Sequence, residues 1–168
     1  MAVSPWQNDL TERLTGVFGA AILETSSYLG QHFVVVEPAV VVDVIRYLKT
    51  EEAYDFLVDL TAVDFPQRPA RFELVYNLYS FASNTRLRVK TRVAEADRPQ
   101  SLTSVFPGAN WLEREIFDMF GVEFAGHPEM RRILLPDEWQ GHPLRKDHSI
   151  TGMDQQWVQD NLGIESGQ

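Results

Sequence analysis

Apolar residues recur at helical spacing after Asn8, where Leu10, Leu14, Val17 and Phe18 fall on one face and Gly19 ends the run. Asn8 is placed to cap that helix, because its short side chain can accept from the free N–H groups of a first turn. Two short apolar segments follow, 20–23 and 32–37, separated by Ser26, Ser27 and Gly30, and they predict a hairpin. Its second arm, Phe33 to Val36, is the more strongly marked, being aromatic and β-branched throughout. Pro38 suits the first turn of a second helix with the stripe Val41, Val44, Ile45 and Leu48, whose expected role is core packing. Residues 56–64 carry so few polar interruptions that they predict a strand buried on both faces, stopped by Pro66 and Pro69.

Strict alternation comes next. Phe72, Leu74, Tyr76 and Leu78 share one side of a ribbon from Arg71 to Phe81; after Ser83 and Asn84, Leu87, Val89, Thr91 and Val93 alternate with Arg86, Arg88, Lys90 and Arg92. The two ribbons predict an antiparallel hairpin with four cations on one face of its second strand. Such a row either is a solvated face that deters edge-to-edge pairing or docks an acidic partner. RNA binding along it is disfavoured, since no aromatic side chain interleaves with the cations.

Composition narrows the classes. The 168 residues include no cysteine, which excludes disulfides, a thiolate nucleophile and cysteine-held zinc or iron–sulfur clusters in this chain. A formal charge of -9 argues against free-standing nucleic-acid binding. No apolar run reaches the roughly 18 residues of a membrane span, and the first residues lack the pattern of an export signal, so cytosolic exposure is expected, with membrane association through partners. No repeat or linker divides residues 1–147, which are expected to form one α+β domain with helices packed on one side of a mixed, largely antiparallel sheet. Residues 148–168, sparse in apolar positions, read as a tail in which Trp157 could serve as an anchor.

The densest chemistry lies between Asn110 and Asp147. Asn110 stands three residues before Glu113, a capping-box pattern opening a short helix that Gly121 can end. On that helix Leu112, Glu115, Ile116 and Met119 would share the apolar face, which would place a carboxylate at Glu115 in need of Arg131, Arg132 or Arg145. Glu113 and Glu115, two positions apart, would point to different sides and so fail as an acid/base pair. His127, His142 and His148 with Glu129, Asp137 or Asp147 offer nitrogen and oxygen ligands, but at no spacing that sets two histidines on one helical face. A nucleophile elbow, a P-loop and a GxGxxG turn are absent, so the residues favour an interaction module over an enzyme.

The run Glu113-Arg114-Glu115-Ile116-Phe117-Asp118-Met119-Phe120-Gly121, with Gly126-His127-Pro128, Arg131-Arg132-Ile133-Leu134 and Gly141-His142-Pro143-Leu144-Arg145-Lys146-Asp147, closely resembles the thirty-kilodalton-type subunit of bacterial respiratory complex I. The resemblance extends over most of residues 10–147. It implies a non-catalytic subunit of the peripheral arm of a proton-pumping NADH:quinone oxidoreductase, on the cytoplasmic side of a bacterial membrane. It implies no cofactor in this chain, with FMN, iron–sulfur clusters and quinone held by partner subunits. The implied neighbours are the large subunit of the quinone site and the cluster-bearing subunit that shares that site. Position by position, Glu113, Arg114, Glu115 and Asp118 resemble the family's helix motif; Gly126, His127, Pro128, Arg131 and Arg132 resemble its turn. His142, Pro143, Leu144, Arg145, Lys146 and Asp147 resemble the segment that leads into a long ordered loop and partner-bound tail, so that Arg145→Ala is expected to weaken incorporation and spare the isolated fold. The tail departs from the family pattern at 148–153, where a more aromatic stretch is expected. Two other readings stay open: the same subunit type in a ferredoxin-, deazaflavin- or hydrogenase-linked membrane oxidoreductase, and a free-standing metal-dependent hydrolase.

Overall fold

The structure is a computed structural model that describes residues 3–148 together with 159, 160 and 163. A two-residue strand β1 (Ser4–Pro5) precedes helix α1 (Asp9–Phe18), strands β2 (Ile22–Tyr28) and β3 (Gln31–Val36), and helix α2 (Val41–Glu51). Strands β4 (Phe56–Asp64), β5 (Phe72–Ser80) and β6 (Thr85–Val93) follow, then helix α3 (Ala109–Phe120) and a long loop. The strands form one sheet in the order β1-β2-β3-β6-β5-β4, antiparallel except where β3 runs parallel to β6. This is the expected α+β class with a mixed sheet.

Local signals account for most elements. Asn8 Oδ1 accepts from the Thr11 N–H at 3.0 Å while Thr11 Oγ1 accepts from the Asn8 N–H at 2.9 Å, a reciprocal cap on α1. Pro38 opens a single 3₁₀ turn, Pro38–Val40, that leads into α2, where Val41, Val44, Ile45 and Leu48 are all fully buried. Each such side chain contributes about 1.5–3 kcal/mol by leaving water. They pack with Leu10 and Leu14 of α1 and Ile116, Met119 and Phe120 of α3 against Val34, Val36, Leu60, Phe72, Leu74, Tyr76, Leu78, Leu87, Val89 and Val93. All three helices therefore lie on one face of the sheet.

The opposite, helix-free face carries Phe33 and Val35 of β3, Arg86, Arg88, Lys90 and Arg92 of β6, and Glu73, Val75, Asn77 and Tyr79 of β5. Two sequence expectations change here. Segment 56–64 is not buried on both faces: β4 ends the sheet, and Phe56, Val58 and Val63 are exposed. The parallel crossover places β6 between β3 and β5, which pushes β4 outward, and for the same reason the cations of β6 guard no edge. The first hairpin is present, but its first arm runs to Tyr28 and its turn lies at Leu29 and Gly30, because Thr25, Ser26 and Ser27 pair as strand.

Candidate functional site

Helix α3 starts two residues earlier than its sequence suggests, and a different set of its positions is buried. Gly108 is the N-cap and makes no side-chain cap bond, so Asn110 and Glu113 form no capping box. The buried acids are Glu113 and Asp118, while Glu115 faces outward and not onto the apolar stripe. Glu113 is held by Ser101 and Leu102 of the preceding loop: the Ser101 hydroxyl donates to Oε2 at 2.7 Å and the Leu102 N–H to Oε1 at 2.6 Å. Two donors from one loop give this carboxylate what a position 115 facing apolar neighbours would lack. Burial nonetheless pushes its pKa up to about 7, against the opposing pull of those two bonds.

His127 lies beside it, its Nε2 3.9 Å from Glu113 Oε2. Nδ1 of His127 accepts from the Glu129 N–H at 3.0 Å, which leaves the proton on Nε2 to be donated to the Asn110 carbonyl at 3.2 Å. The ring thus shapes the turn through its two hydrogen bonds and lies beside the acid without a hydrogen bond to it. Gly126 and Pro128, on either side, are exposed.

Asp118 organises the loop. Its Oδ2 accepts from the N–H groups of Ile133, Leu134 and Leu135 at 3.0, 2.8 and 2.9 Å, and its Oδ1 from Arg132 at 2.6 Å. Burial raises this carboxyl, but the backbone donors of Leu135, Leu134 and Ile133 and the Arg132 guanidinium outweigh it and hold the pKa below the usual aspartate range. Arg114 donates to the carbonyls of Arg131 and Arg132, both at 3.2 Å, and Arg132 reaches the Gly141 carbonyl at 3.0 Å.

The loop then closes the end of α3. A helix leaves its last carbonyls without intrahelical donors. Those of Asp118, Met119 and Phe120 accept from His142 Nδ1 at 3.0 Å, the Leu144 N–H at 3.0 Å and Arg145 Nε at 2.6 Å. Burial, foremost, pushes the His142 imidazole below its ordinary pKa, consistent with a neutral ring donating from Nδ1. Gly121 turns the chain with φ +76°, and a Cβ there would lie 2.6 Å from His142 Cδ2.

A second set of ties fixes the far end of the strap. Arg71 grips Asp64 through two bonds of 2.8 and 2.9 Å, Asp147 at 2.7 Å and Glu95 at 3.1 Å, while the Lys146 N–H donates to Asp64 Oδ2 at 2.8 Å. Arg145 also binds Glu95 and rests over the Phe72 ring. The Arg71 guanidinium is the main cause of the lowered pKa of Asp64 and of Asp147; for Glu95 it is Arg145. No sequence motif marks Asp64, Arg71, Glu95 or Ser101. The one available signal is that Asp64 and Arg71 flank the proline cluster, where a strand turns back on itself.

Arg114, Arg132 and Arg145 are consequently committed within the chain, in place of the Glu115 partnership anticipated for Arg132 and Arg145. Arg145 in particular joins helix end, loop and sheet, so its removal disturbs the chain as well as any surface it forms. Outward from the strap stand Trp111, Leu134 and Leu144, 61%, 60% and 52% exposed, with Arg131 paired to Glu129 at 3.0 Å, and Lys146. Pro143 is half-buried between Leu144 and His142. Among the described residues, no three histidine, aspartate or glutamate side chains converge on a point that could hold a metal ion. No described helix is long and apolar enough to cross a membrane.

Residues 34–154 match the family described as respiratory-chain NADH dehydrogenase, 30 Kd subunit. The chain is 48% identical over 147 residues to the C-type subunit of NADH-quinone oxidoreductase from Trichlorobacter lovleyi, covering 86% of this chain and 91% of that protein. Its counterpart in Geotalea uraniireducens is 40% identical over 157 residues, covering 93% and 96%. Among solved structures, a chain of the membrane-bound sulfane sulfur reductase, an archaeal respiratory membrane complex, superposes with a TM-score of 0.73 at 25% identity, covering 93% of this chain and 91% of that one. The family match and the curated relatives show that the chain belongs to the family of the 30 kDa subunit of respiratory-chain NADH dehydrogenase, whose bacterial members are C-type subunits of NADH-quinone oxidoreductase.

Proposed function

We propose that the chain is a positioning subunit of a proton-pumping NADH:quinone oxidoreductase, peripheral on the cytoplasmic side of a bacterial membrane, which braces the subunits that carry electrons and contributes no redox centre. The observation that carries this reading is the strap. Asp118 and Arg114 hold its backbone, and side-chain ties from Arg132 to Asp118, Arg145 to the Phe120 carbonyl and Arg71 to Asp147 fasten its ends. Leu134 and Leu144 of the strap and Trp111 of α3 are thereby presented to solvent on a firmly tied support. Large apolar side chains on preorganised backbone lower the ordering cost of association. The neighbours proposed for this surface are the large quinone-site subunit and the cluster-bearing subunit beside it, with FMN, iron–sulfur clusters and quinone residing in partners. The tail, 148–168, is proposed to continue along the same partner; most of it, Trp157 included, lies outside the described residues.

Leu144→Asp tests this directly, because the side chain is exposed and only the backbone N–H of Leu144 is used by the fold. N-terminally tagged protein would be recovered from detergent-solubilised membranes. The expected outcome is that the wild-type chain brings the flavin and iron–sulfur subunits with NADH oxidation, and that Leu144→Asp recovers about tenfold less of them at unchanged melting temperature. Recovery of the wild-type chain alone from the soluble fraction would overturn the proposal. The likeness to the archaeal sulfane sulfur reductase supports a second reading, the same subunit type in a complex with a different electron donor, which the identity of the co-purified subunits decides.

A further inference from the structure

Beyond the strap, the structure carries a second surface of interface composition at the opposite end of the same strands. Phe56, Tyr79 and Phe81 form an edge-to-face cluster, with ring centroids 5.6 Å apart for Phe56 and Phe81 and 4.9 Å for Tyr79 and Phe81. Phe81 is 65% exposed and Phe56 48%. Arg86 is the register partner of Tyr79, so an exposed guanidinium borders the aromatic cluster on the helix-free face. One step along, Arg88 lies in a row with Asn77 and Asp59 that forms the floor of a groove also lined by Gln31 and Val58.

The charge state of this groove separates it from the rest of the cationic row. Lys90 and Arg92 share Glu73 at 3.0 and 3.3 Å, and Arg92 also has Glu24 at 4.0 Å, so each of these cations has a carboxylate partner. Arg88 instead binds the uncharged oxygens of Asn77 at 3.0 Å and Gln31 at 2.8 Å, which orient it and leave its charge uncompensated. Among the described residues, no carboxylate comes within 4.0 Å of Arg86 or Arg88; Asp59 stands at the end of the row and Asp55 below Phe81 without reaching either. In a chain of net charge -9, two adjacent arginines without an ion-pair partner beside three clustered aromatics form a patch less acidic than the chain as a whole, with Asp59 at its margin and an apolar anchor.

We infer that this end of the helix-free face is a second docking surface, which takes an acidic segment bearing an apolar side chain on another subunit of the same complex. The carboxylates would meet Arg86 and Arg88 and the apolar group would lie on Phe81. Charge complementarity selects the occupant. A nucleic acid would confront the net negative charge of the whole chain with only two free cations to hold it, and a second copy of the chain would bring arginines against arginines. The inference rests on the proposed function, since it needs an assembled complex. β4 and β5 each have nine residues, so the two surfaces are separated by roughly 26 Å, enough for two different neighbours.

The test uses the intact complex. A photo-crosslinking amino acid at position 81 is expected to form an adduct with an Asp- or Glu-rich segment of another subunit, and Arg86→Glu is expected to lower retention of that subunit about tenfold in moderate salt. Among the described residues Arg86 has no side-chain partner, so a complex that assembles normally with Arg86→Glu, or adducts to lipid or to a second copy of this chain, would overturn the inference. If Leu144→Asp impairs assembly while Arg86→Glu does not, the proposed function stands and the second surface falls. If the wild-type chain recovers no partners, the proposed function falls first.

Discussion

At the scale of single residues, Glu113 is the group whose protonation matters most. Its unfolded-state reference is 4.5, and in the fold burial raises it to about 7. Between those values the unfolded chain releases this proton and the folded chain retains it, so stability is lost as pH rises through the window. Linkage puts the loss at roughly 3 kcal/mol. Glu113→Gln keeps an acceptor for the Leu102 N–H and cannot ionise. Denaturant melts at pH 5 and pH 7 are expected to differ less for this variant than for the parent, and an unchanged difference would remove Glu113 as the source. The sequence by itself does not show this: its pattern marks Glu113 as a capping residue and Glu115 as the buried acid, because a one-position error in helix phase exchanges the two. What settles the phase is Ser101 and the Leu102 N–H, in a loop with no periodic signal.

At the scale of elements, α3 and its strap act as one unit. The helix end is closed by the loop and the loop is shaped by Asp118, so neither has its native form without the other. Gly121 is the point where they meet. A side chain there would require a left-handed backbone of φ +76° and would intrude on His142 at 2.6 Å and Arg145 at 3.1 Å. Gly121→Ala is expected to cost about 2–4 kcal/mol. It should also speed hydrogen exchange at the Leu144 amide, which donates to Met119. Undiminished protection at Leu144 would show that the strap holds independently of this contact. The element patterns legible in the sequence, the α1 cap, the α2 stripe and the alternation of β5 and β6, are those set by neighbours within a few residues. The place of β4 is not among them, because an apolar strand at a sheet end and one at its centre read alike until the crossover from β3 to β6 is known.

For the whole molecule, acid sensitivity follows from the ties that fasten strand, helix and loop ends together. Asp64, Glu95, Asp118 and Asp147 all have depressed pKa values in the fold, through Arg71, Arg145, and the backbone donors and Arg132 around Asp118. Their contribution is complete above the ordinary carboxylate range and is lost as pH falls through their folded values. Stability is therefore expected to fall as pH drops into the carboxylate range, while between pH 5 and pH 7 the ionisation of Glu113 lowers it and the deprotonation of His142, whose folded pKa is depressed, raises it. A melting temperature that does not fall on acidification from about pH 5 to about pH 3 would contradict the carboxylate part. The family motif is legible because its residues are close in sequence. The partners of its charges are not, since Asp64, Arg71 and Glu95 come from distant strands and carry no pattern of their own.

The parallel pairing of β3 with β6 has a kinetic consequence. Everything up to Glu51 could form locally, yet the hydrogen-bonding edge of β3 is completed by Arg88 to Thr91, more than fifty residues later. During synthesis the first hairpin and two helices must wait, with the Val34 and Val36 side chains uncovered on one flank, until β4, β5 and β6 have emerged and β6 inserts beside them. For that interval the nascent chain presents an unpaired, β-branched edge, the kind of surface that folding chaperones are suited to shield.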